Sequence, residues 1–180
     1  MTILITGGSQ GSRTLNRAAE ESWPLWTGKN TRIRLIHQTG ANAFAEISQK
    51  FRSSGIDGEV NAFLSDMPAA FEQADLVVSR AGAGAVSELA AAGKPSILIP
   101  LPTASDQHQL KNAQAMEQAG AARLVTDSDW TGARFVQEVT SLLDEPGRLE
   151  KMSAAARAFA RPGAARRAAD VLLVAQKGAA

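Results

Sequence analysis

Two glycine-rich segments, each placed between a short apolar run and the start of a helical pattern, constrain this chain most. The first is Gly-Gly-Ser-Gln-Gly-Ser at residues 7–12, and the second is Arg-Ala-Gly-Ala-Gly at residues 80–84. A strand that leads through glycines into a helix presents unpaired backbone N–H groups and the positive end of the helix dipole to a ligand. Two such turns predict a ligand with an extended or double phosphate, held at the ends of strands.

The rest of the chain alternates short apolar runs with helical periodicity, which predicts an α/β fold. Strands are predicted at residues 3–6, 33–38, 60–63, 76–79, 96–100 and 123–125. Helices are predicted at residues 14–23, 41–54, 67–73, 86–92, 107–119, 131–144, 148–160 and 164–176. Units of this length form a Rossmann-like parallel sheet with helices on both faces. Because ligands bind beyond the carboxyl ends of such strands, both glycine turns are expected in one crevice.

Composition excludes several classes of function. The 180 residues suit a single domain, and the formal net charge of +1, with dispersed basic residues, gives no reason to expect a nucleic-acid partner. The chain has no cysteine and two histidines, which excludes disulfides, thiol chemistry and a Cys- or His-rich metal centre. No signal peptide and no apolar run of ~20 residues is visible, so we expect a cytoplasmic location.

The first glycine turn departs from two common nucleotide-binding fingerprints. A Walker A loop ends in Gly-Lys-Ser/Thr, whereas Gly11 and Ser12 are followed by Arg13. A dinucleotide fold carries an acidic residue at the end of its second strand, where this chain has His37 and Gln38. These departures disfavour ATP and NAD as ligands. A tight turn that binds nothing is the alternative for this segment.

The second turn carries more chemistry. Small residues follow Arg80 where a backbone must approach a ligand closely, and Glu88 comes about one helical turn later. A carboxylate accepts two hydrogen bonds from a vicinal diol, so Glu88 suits a ribose whose phosphates lie at the adjacent helix terminus. A glutamate in the first helical turn also complements the helix dipole, and that structural role is the alternative. For Arg80, neutralisation of a phosphate and a structural ion pair are both open.

A third polar segment follows the fifth predicted strand. Prolines stiffen this loop, and His108 and Gln109 stand at the start of the next helix. Amide and imidazole groups in such a position can hydrogen-bond the hydroxyl groups of a sugar. Neither a nucleophile nor a carboxylate pair accompanies His108 in the sequence, so contact with a ligand is favoured over proton transfer. A polar helix start without a ligand is the alternative.

Taken together, these segments resemble the C-terminal half of the MurG family. Its members are UDP-N-acetylglucosamine transferases that act on lipid-linked muramyl-pentapeptide in peptidoglycan synthesis. The matching stretches follow in order and spacing over essentially the whole chain, at residues 7–11, 79–83, 86–89, 93–95, 106–109 and 112–113. The resemblance implies one half of a GT-B architecture, in which two Rossmann-like domains face each other across a cleft and the C-terminal one holds the nucleotide sugar.

The resemblance further implies that the ligand is UDP-N-acetylglucosamine, bound by an inverting enzyme without cofactor or metal. Each part of this donor is assigned to a group of residues in this sequence. The diphosphate is assigned to the loop of Gly8, Ser9, Gln10 and Gly11, the uracil to the backbone of Leu64, the phosphates and nucleoside to Ala83, Gly84, Ala85, Val86 and Ser87 with Arg80 as a further candidate, the ribose hydroxyls to Glu88, and the N-acetylglucosamine to His108 and Gln109. Some members carry two glutamines where this chain has His108 and Gln109.

The family's N-terminal half, with its catalytic base and lipid-acceptor surface, is not found in this sequence. Catalytic residues are therefore unassigned, and we expect residues 1–180 to form one UDP-sugar-binding domain that reaches the lipid-linked acceptor only through an N-terminal domain or subunit. The whole enzyme is expected to be peripheral on the cytoplasmic face of the inner membrane. One alternative is the donor-binding subunit of a split lipid-linked-oligosaccharide glycosyltransferase with a membrane partner. A UDP-sugar epimerase is another, although only Glu88 and Asp106 would offer it carboxylates.

Overall fold

The computed structural model describes residues 1–26, 29, 31–164, 166, 167 and 169. Within this part of the chain, six strands form one parallel sheet in the order β3-β2-β1-β4-β5-β6. The strands are β1 (Thr2–Thr6), β2 (Arg34–Gln38), β3 (Asp57–Asn61), β4 (Leu76–Ser79), β5 (Ser96–Leu98) and β6 (Ala122–Leu124). The predicted Rossmann-like α/β fold is confirmed.

Helices cover both faces of the sheet. They are α1 (Arg13–Trp26), α2 (Ala41–Arg52), α3 (Met67–Gln73), α4 (Ala83–Ala92), α5 (His108–Gln118), α6 (Gly132–Leu143) and α7 (Arg148–Phe159). Because successive strand residues point to opposite faces, Ile3 packs in the core with α1, α2 and α6, while Leu4 packs in the core with α3, α4 and α5. In the described part of the chain no helix is long and apolar enough to cross a membrane.

The order of the strands places the two glycine turns side by side. β1 and β4 are neighbours in the centre of the sheet, with Thr6 opposite Ser79 at their carboxyl ends. The helices that follow them, α1 and α4, pack on opposite faces, so the connections diverge and leave a crevice between the strand ends. This is the topological switch point at which open α/β sheets bind ligands.

The third strand begins three residues and ends two residues earlier than the predicted range of 60–63, because β3 is Asp57–Asn61. β3 is an edge strand that lies against β2 through its backbone, and a Cβ atom at Gly58 would lie 2.0 Å from the carbonyl oxygen of Leu35. The apolar run that suggested the later position continues past the strand end, where Phe63 is 61% exposed. Pairing along the backbone therefore outweighs the hydrophobic pattern here.

Two helices are longer than predicted. α4 begins at Ala83 rather than at residue 86, and α1 continues to Trp26 through Pro24. Pro24 lacks the N–H of a helical hydrogen bond. The indole of Trp26 compensates, because it is buried, donates to Ser22 Oγ at 3.3 Å and meets Phe135 edge-on. The helix predicted at residues 164–176 lies largely outside the residues that the structure describes.

Candidate functional site

A cleft of about 810 Å³, here called the central cleft, lies at the carboxyl ends of the middle strands. The predicted donor-binding residues that line it are Gly8, Ser9, Gly11, Leu64, Arg80, Ala85, Glu88 and Gln109. Those that do not line it are Gln10, Ala83, Gly84, Val86, Ser87 and His108. The structure thus brings together residues from four segments that are far apart in the sequence.

The turn after β1 is fixed by a close approach to the loop after β2. Gly8 and Gly11 both have positive φ angles, of 82° and 70°, and the N–H of Gly11 donates to the carbonyl of Gly8 at 2.9 Å. A Cβ atom at Gly11 would lie 1.9 Å from the carbonyl oxygen of Thr39, and one at Gly40 would lie 2.3 Å from that of Gln10. Only glycines therefore allow these two loops to touch.

Buried polar side chains hold the loop after β2 in this position. His37 Nε2 lies 3.0 Å from Asn16 Oδ1, and Asn16 Nδ2 donates to the carbonyl of Thr39 at 3.0 Å. Because the Asn16 amide nitrogen is the donor to Thr39, its oxygen accepts from His37, and the imidazole carries its proton on Nε2. His37 is 1% exposed, and this burial lowers its pKa from 6.5 to about 4. The imidazole is therefore neutral at physiological pH.

The turn after β4 leads directly into α4. The first helical hydrogen bond runs from the N–H of Val86 to the carbonyl of Gly82, so the N–H groups of Ala83, Gly84 and Ala85 precede it. The Val86 side chain packs in the core at 7% exposure, so its implied ligand contact is limited to its backbone.

Glu88 is the sixth residue of α4 and is exposed on the wall of the central cleft. The helix has no acidic residue in its first turn. Since the effect of the helix dipole falls off within that turn, a dipole-compensating role for Glu88 loses its basis. The ribose interpretation is the one that its position favours.

Arg80 takes part in a structural ion pair. Its Nη1 donates to Asp127 Oδ1 at 2.5 Å and to the carbonyl of Ile99 at 3.1 Å, and its Nη2 donates to Ser12 Oγ at 2.8 Å. Asp127 also accepts from Thr14 Oγ1 at 3.2 Å. The guanidinium thus joins the loops after β1, β4 and β6, while it still lines the central cleft. Of the two roles that the sequence left open for Arg80, the structure shows the ion pair, and the contact with a phosphate stays a prediction.

Gln109 is held by the two loops beside it. Its Oε1 accepts the backbone N–H groups of Ala81 at 3.2 Å and Leu101 at 3.0 Å. Among the described residues its Nε2 has no hydrogen-bond acceptor, which leaves this amide N–H as a donor for a ligand in the cleft. His108 begins α5 and is exposed outside the lining of the cleft, so its contact with a sugar stays a prediction. The same holds for Gln10 and Ser87.

Sequence reasoning missed several polar residues of the cleft, among them Gln38 and Asp127. Gln38 and Asp127 both line it, and both lie at or after the carboxyl end of a strand. The alternation along β2 could have found Gln38, because it places this residue on the face of the sheet opposite His37.

In the described residues no group of three or more His, Cys, Asp or Glu side chains is placed to hold a metal ion. The site presents backbone and amide donors together with one exposed carboxylate, which suits a ligand with phosphates and hydroxyl groups.

Comparison with known protein families gives an extensive match. A family profile described as the glycosyltransferase family 28 C-terminal domain matches residues 2–168. Among solved structures, the MurG of Acinetobacter baumannii superposes with a TM-score of 0.84 and 32% identity, over 95% of this chain and 51% of that chain. The likeness therefore extends over nearly all of this chain.

Curated relatives agree with this match. The UDP-N-acetylglucosamine–N-acetylmuramyl-(pentapeptide) pyrophosphoryl-undecaprenol N-acetylglucosamine transferase of Solibacter usitatus is 60% identical over 172 residues, which are 96% of this chain and 47% of that protein. The transferase of the same name from Anaeromyxobacter sp. strain K is 42% identical over 171 residues, which are 95% of this chain and 45% of that protein. The chain spans about half the length of the curated relatives that it matches.

Proposed function

Because the chain belongs to the glycosyltransferase family 28 C-terminal domain family, we propose that it is the donor-binding half of an inverting N-acetylglucosamine transferase. Its donor is UDP-N-acetylglucosamine, and its acceptor is the N-acetylmuramyl-(pentapeptide) pyrophosphoryl-undecaprenol that the relatives' names give. One observation carries this proposal. The two glycine turns meet at the crevice between β1 and β4, with a carboxylate, Glu88, beyond the second turn.

Stabilisation of the leaving group is the chemical contribution of this half. When the sugar is transferred, negative charge grows on the diphosphate of UDP. Gly82 and Ala85 at the start of α4 line the same cleft as the glycine turn before α1, and fixed backbone donors at such positions stabilise developing charge without reorganisation. This arrangement does the work that a divalent cation does in other transferases, so the proposal includes no metal and no cofactor.

The other parts of the donor have partners along the cleft. The N–H of Leu64 is bound to Gln38, so the carbonyl of Leu64 is its backbone group for accepting the N3–H of uracil. Glu88 accepts hydrogen bonds from the two ribose hydroxyl groups, and the Nε2 of Gln109 donates a hydrogen bond to the N-acetylglucosamine.

We expect this chain to bind UDP and UDP-N-acetylglucosamine without transferring the sugar. Isothermal titration calorimetry with each nucleotide measures binding, and a radiolabelled donor measures transfer. Heats indistinguishable from dilution at millimolar UDP would exclude the donor-binding role. Sugar transfer by the chain alone would contradict the need for a second domain or subunit, which in this proposal supplies the catalytic base and the lipid acceptor at the cytoplasmic face of the membrane.

Replacement of Glu88 tests the ribose contact. We expect Glu88→Ala to weaken the binding of UDP by roughly 1–3 kcal/mol, because a charged acceptor of two hydrogen bonds is lost. The matched control is Glu72→Ala on α3, an exposed glutamate outside the lining of the central cleft, which removes the same charge and should leave affinity nearly unchanged. The parent chain should also prefer UDP to 2′-deoxy-UDP, and Glu88→Ala should not. Equal affinity of the parent chain for both nucleotides would refute the ribose assignment.

A further inference from the structure

One buried amide joins two segments that line the central cleft. Gln38 is the last residue of β2, lines the cleft and is 1% exposed. Its Nε2 donates to the carbonyl of Gly8 at 2.8 Å and to Thr6 Oγ1 at 3.3 Å. Its Oε1 accepts the backbone N–H of Leu64 at 2.8 Å. The side chain thus connects the glycine turn after β1 with the segment after β3, on either side of its own strand.

Both partners fix the orientation of this amide. The carbonyl of Gly8 can only accept, so it faces the NH₂ group of Gln38, and the N–H of Leu64 can only donate, so it faces the oxygen. A glutamate has the same length but, when ionised, cannot donate to Gly8. A methionine has a similar length but provides neither a strong donor nor a strong acceptor. The two contacts together therefore require glutamine.

The amide also fixes two peptide groups in segments that line the cleft. The carbonyl of Gly8 accepts from Gly11 as well as from Gln38, so both of its lone pairs are occupied. The C=O and N–H of a trans peptide point in opposite directions, so a fixed carbonyl at Gly8 also fixes the N–H of Ser9. The bond to the N–H of Leu64 fixes the carbonyl of Phe63 in the same way. Ser9, Phe63 and Leu64 all line the cleft.

We infer that Gln38 is a positioning residue that sets the relative place of the diphosphate-binding turn and the uracil-binding backbone. It holds the glycine turn after β1 and the segment after β3 together as one site for a pyrimidine nucleoside diphosphate. This inference rests on the proposed function, because it concerns the same cleft. A dinucleotide fold uses this strand end for an acidic residue that binds ribose. Here the Gln38 amide is occupied by protein groups, which leaves the ribose to Glu88.

Two variants test separately the two hydrogen bonds of the Gln38 amide, to Gly8 and to Leu64. Gln38→Glu keeps the acceptor for Leu64 and, while its carboxyl group is ionised, loses the donor for Gly8, whereas Gln38→Met loses both. We expect Gln38→Glu to bind uridine within about twofold of the parent chain but UDP at least about tenfold more weakly, the loss that follows a broken buried hydrogen bond. Gln38→Met should bind both ligands more weakly. NMR titrations of the folded variants with uridine and with UDP give the dissociation constants.

Gln49→Glu is the matched control, because Gln49 is exposed on α2 outside the cleft and the substitution adds the same charge. It should leave both affinities unchanged. Hydrogen exchange of the Leu64 amide, slow in the parent chain and in Gln38→Glu and fast in Gln38→Met, tests the bridge without a ligand. Folded Gln38→Glu that binds UDP as the parent chain does, or that loses uridine and UDP affinity equally, would overturn the inference. A parent chain that binds neither ligand would instead refute the proposed function, and this inference with it.

Discussion

Gly11→Ala is expected to lower the free energy of unfolding by roughly 3–5 kcal/mol, because a positive φ angle and a steric overlap act together. The φ angle of Gly11 is 70°, and the new Cβ atom would lie 1.9 Å from the carbonyl oxygen of Thr39. That oxygen belongs to the backbone and is held by Asn16, so it cannot rotate away as a side chain would. Either the glycine turn or the loop after β2 must move.

The matched control is Gly55→Ala. Gly55 has a φ angle of 74°, close to that of Gly11, but a Cβ atom there would meet nothing within 4 Å. Its replacement should therefore cost only the backbone term, about 1–2 kcal/mol. Urea denaturation followed by tryptophan fluorescence measures both variants. Equal destabilisation by the two substitutions would contradict a close approach between the two loops.

The same two variants should also differ in their affinity for UDP. Gly8, Ser9 and Gly11 line the cleft on the turn that must move in Gly11→Ala, whereas Gly55 lies outside the cleft lining. We therefore expect folded Gly11→Ala to lose UDP affinity and Gly55→Ala to keep it. The contact between the two loops thus serves both the stability of the fold and the shape of the ligand site.

The sequence predicts those features that depend on neighbouring residues. The alternation of apolar runs and helical periods predicts the parallel α/β sheet, and the glycine turns predict where its cleft lies. Glu88 and Gln109 were found because each follows a strand end at a short distance along the chain. Local patterns fail where a distant contact decides the structure. α1 continues through Pro24 because Trp26 packs on Phe135, more than a hundred residues later.

The polar contacts of the site show the same limit. Arg80 left two roles open in the sequence, and its ion-pair partner Asp127 is 47 residues away. The amide of Gln38 reaches Gly8 and Leu64, which are 30 and 26 residues from it in opposite directions. No periodicity or spacing rule predicts such pairs, because they are created when strand ends meet at one edge of the sheet. The sequence therefore names candidates, and the packed fold decides which ones act together.

Acidification is expected to destabilise the fold through His37. The pKa of this imidazole is 6.5 when it is solvated and about 4 in the fold, because burial disfavours the charged form. Above pH 6.5 the side chain is neutral in both states and its contribution to stability is complete. Below that pH the unfolded chain binds a proton that the folded chain does not. The free energy of unfolding then falls by about 1.4 kcal/mol per pH unit until pH about 4, roughly 3 kcal/mol in all.

The contacts of His37 explain why its protonation is unfavourable. Nε2 already donates to Asn16, and Nδ1 is buried with no hydrogen-bond partner among the described residues, so a second proton would add a charged donor without an acceptor. His37→Gln should remove this part of the pH dependence, and His108→Gln, which replaces the chain's other histidine, should retain it. Urea denaturation between pH 7.5 and about 4.5 measures each slope. Parallel curves for the parent chain and His37→Gln would contradict the neutral, buried imidazole. The two stability predictions are linked, because Asn16 connects His37 to the same Thr39 carbonyl that meets Gly11.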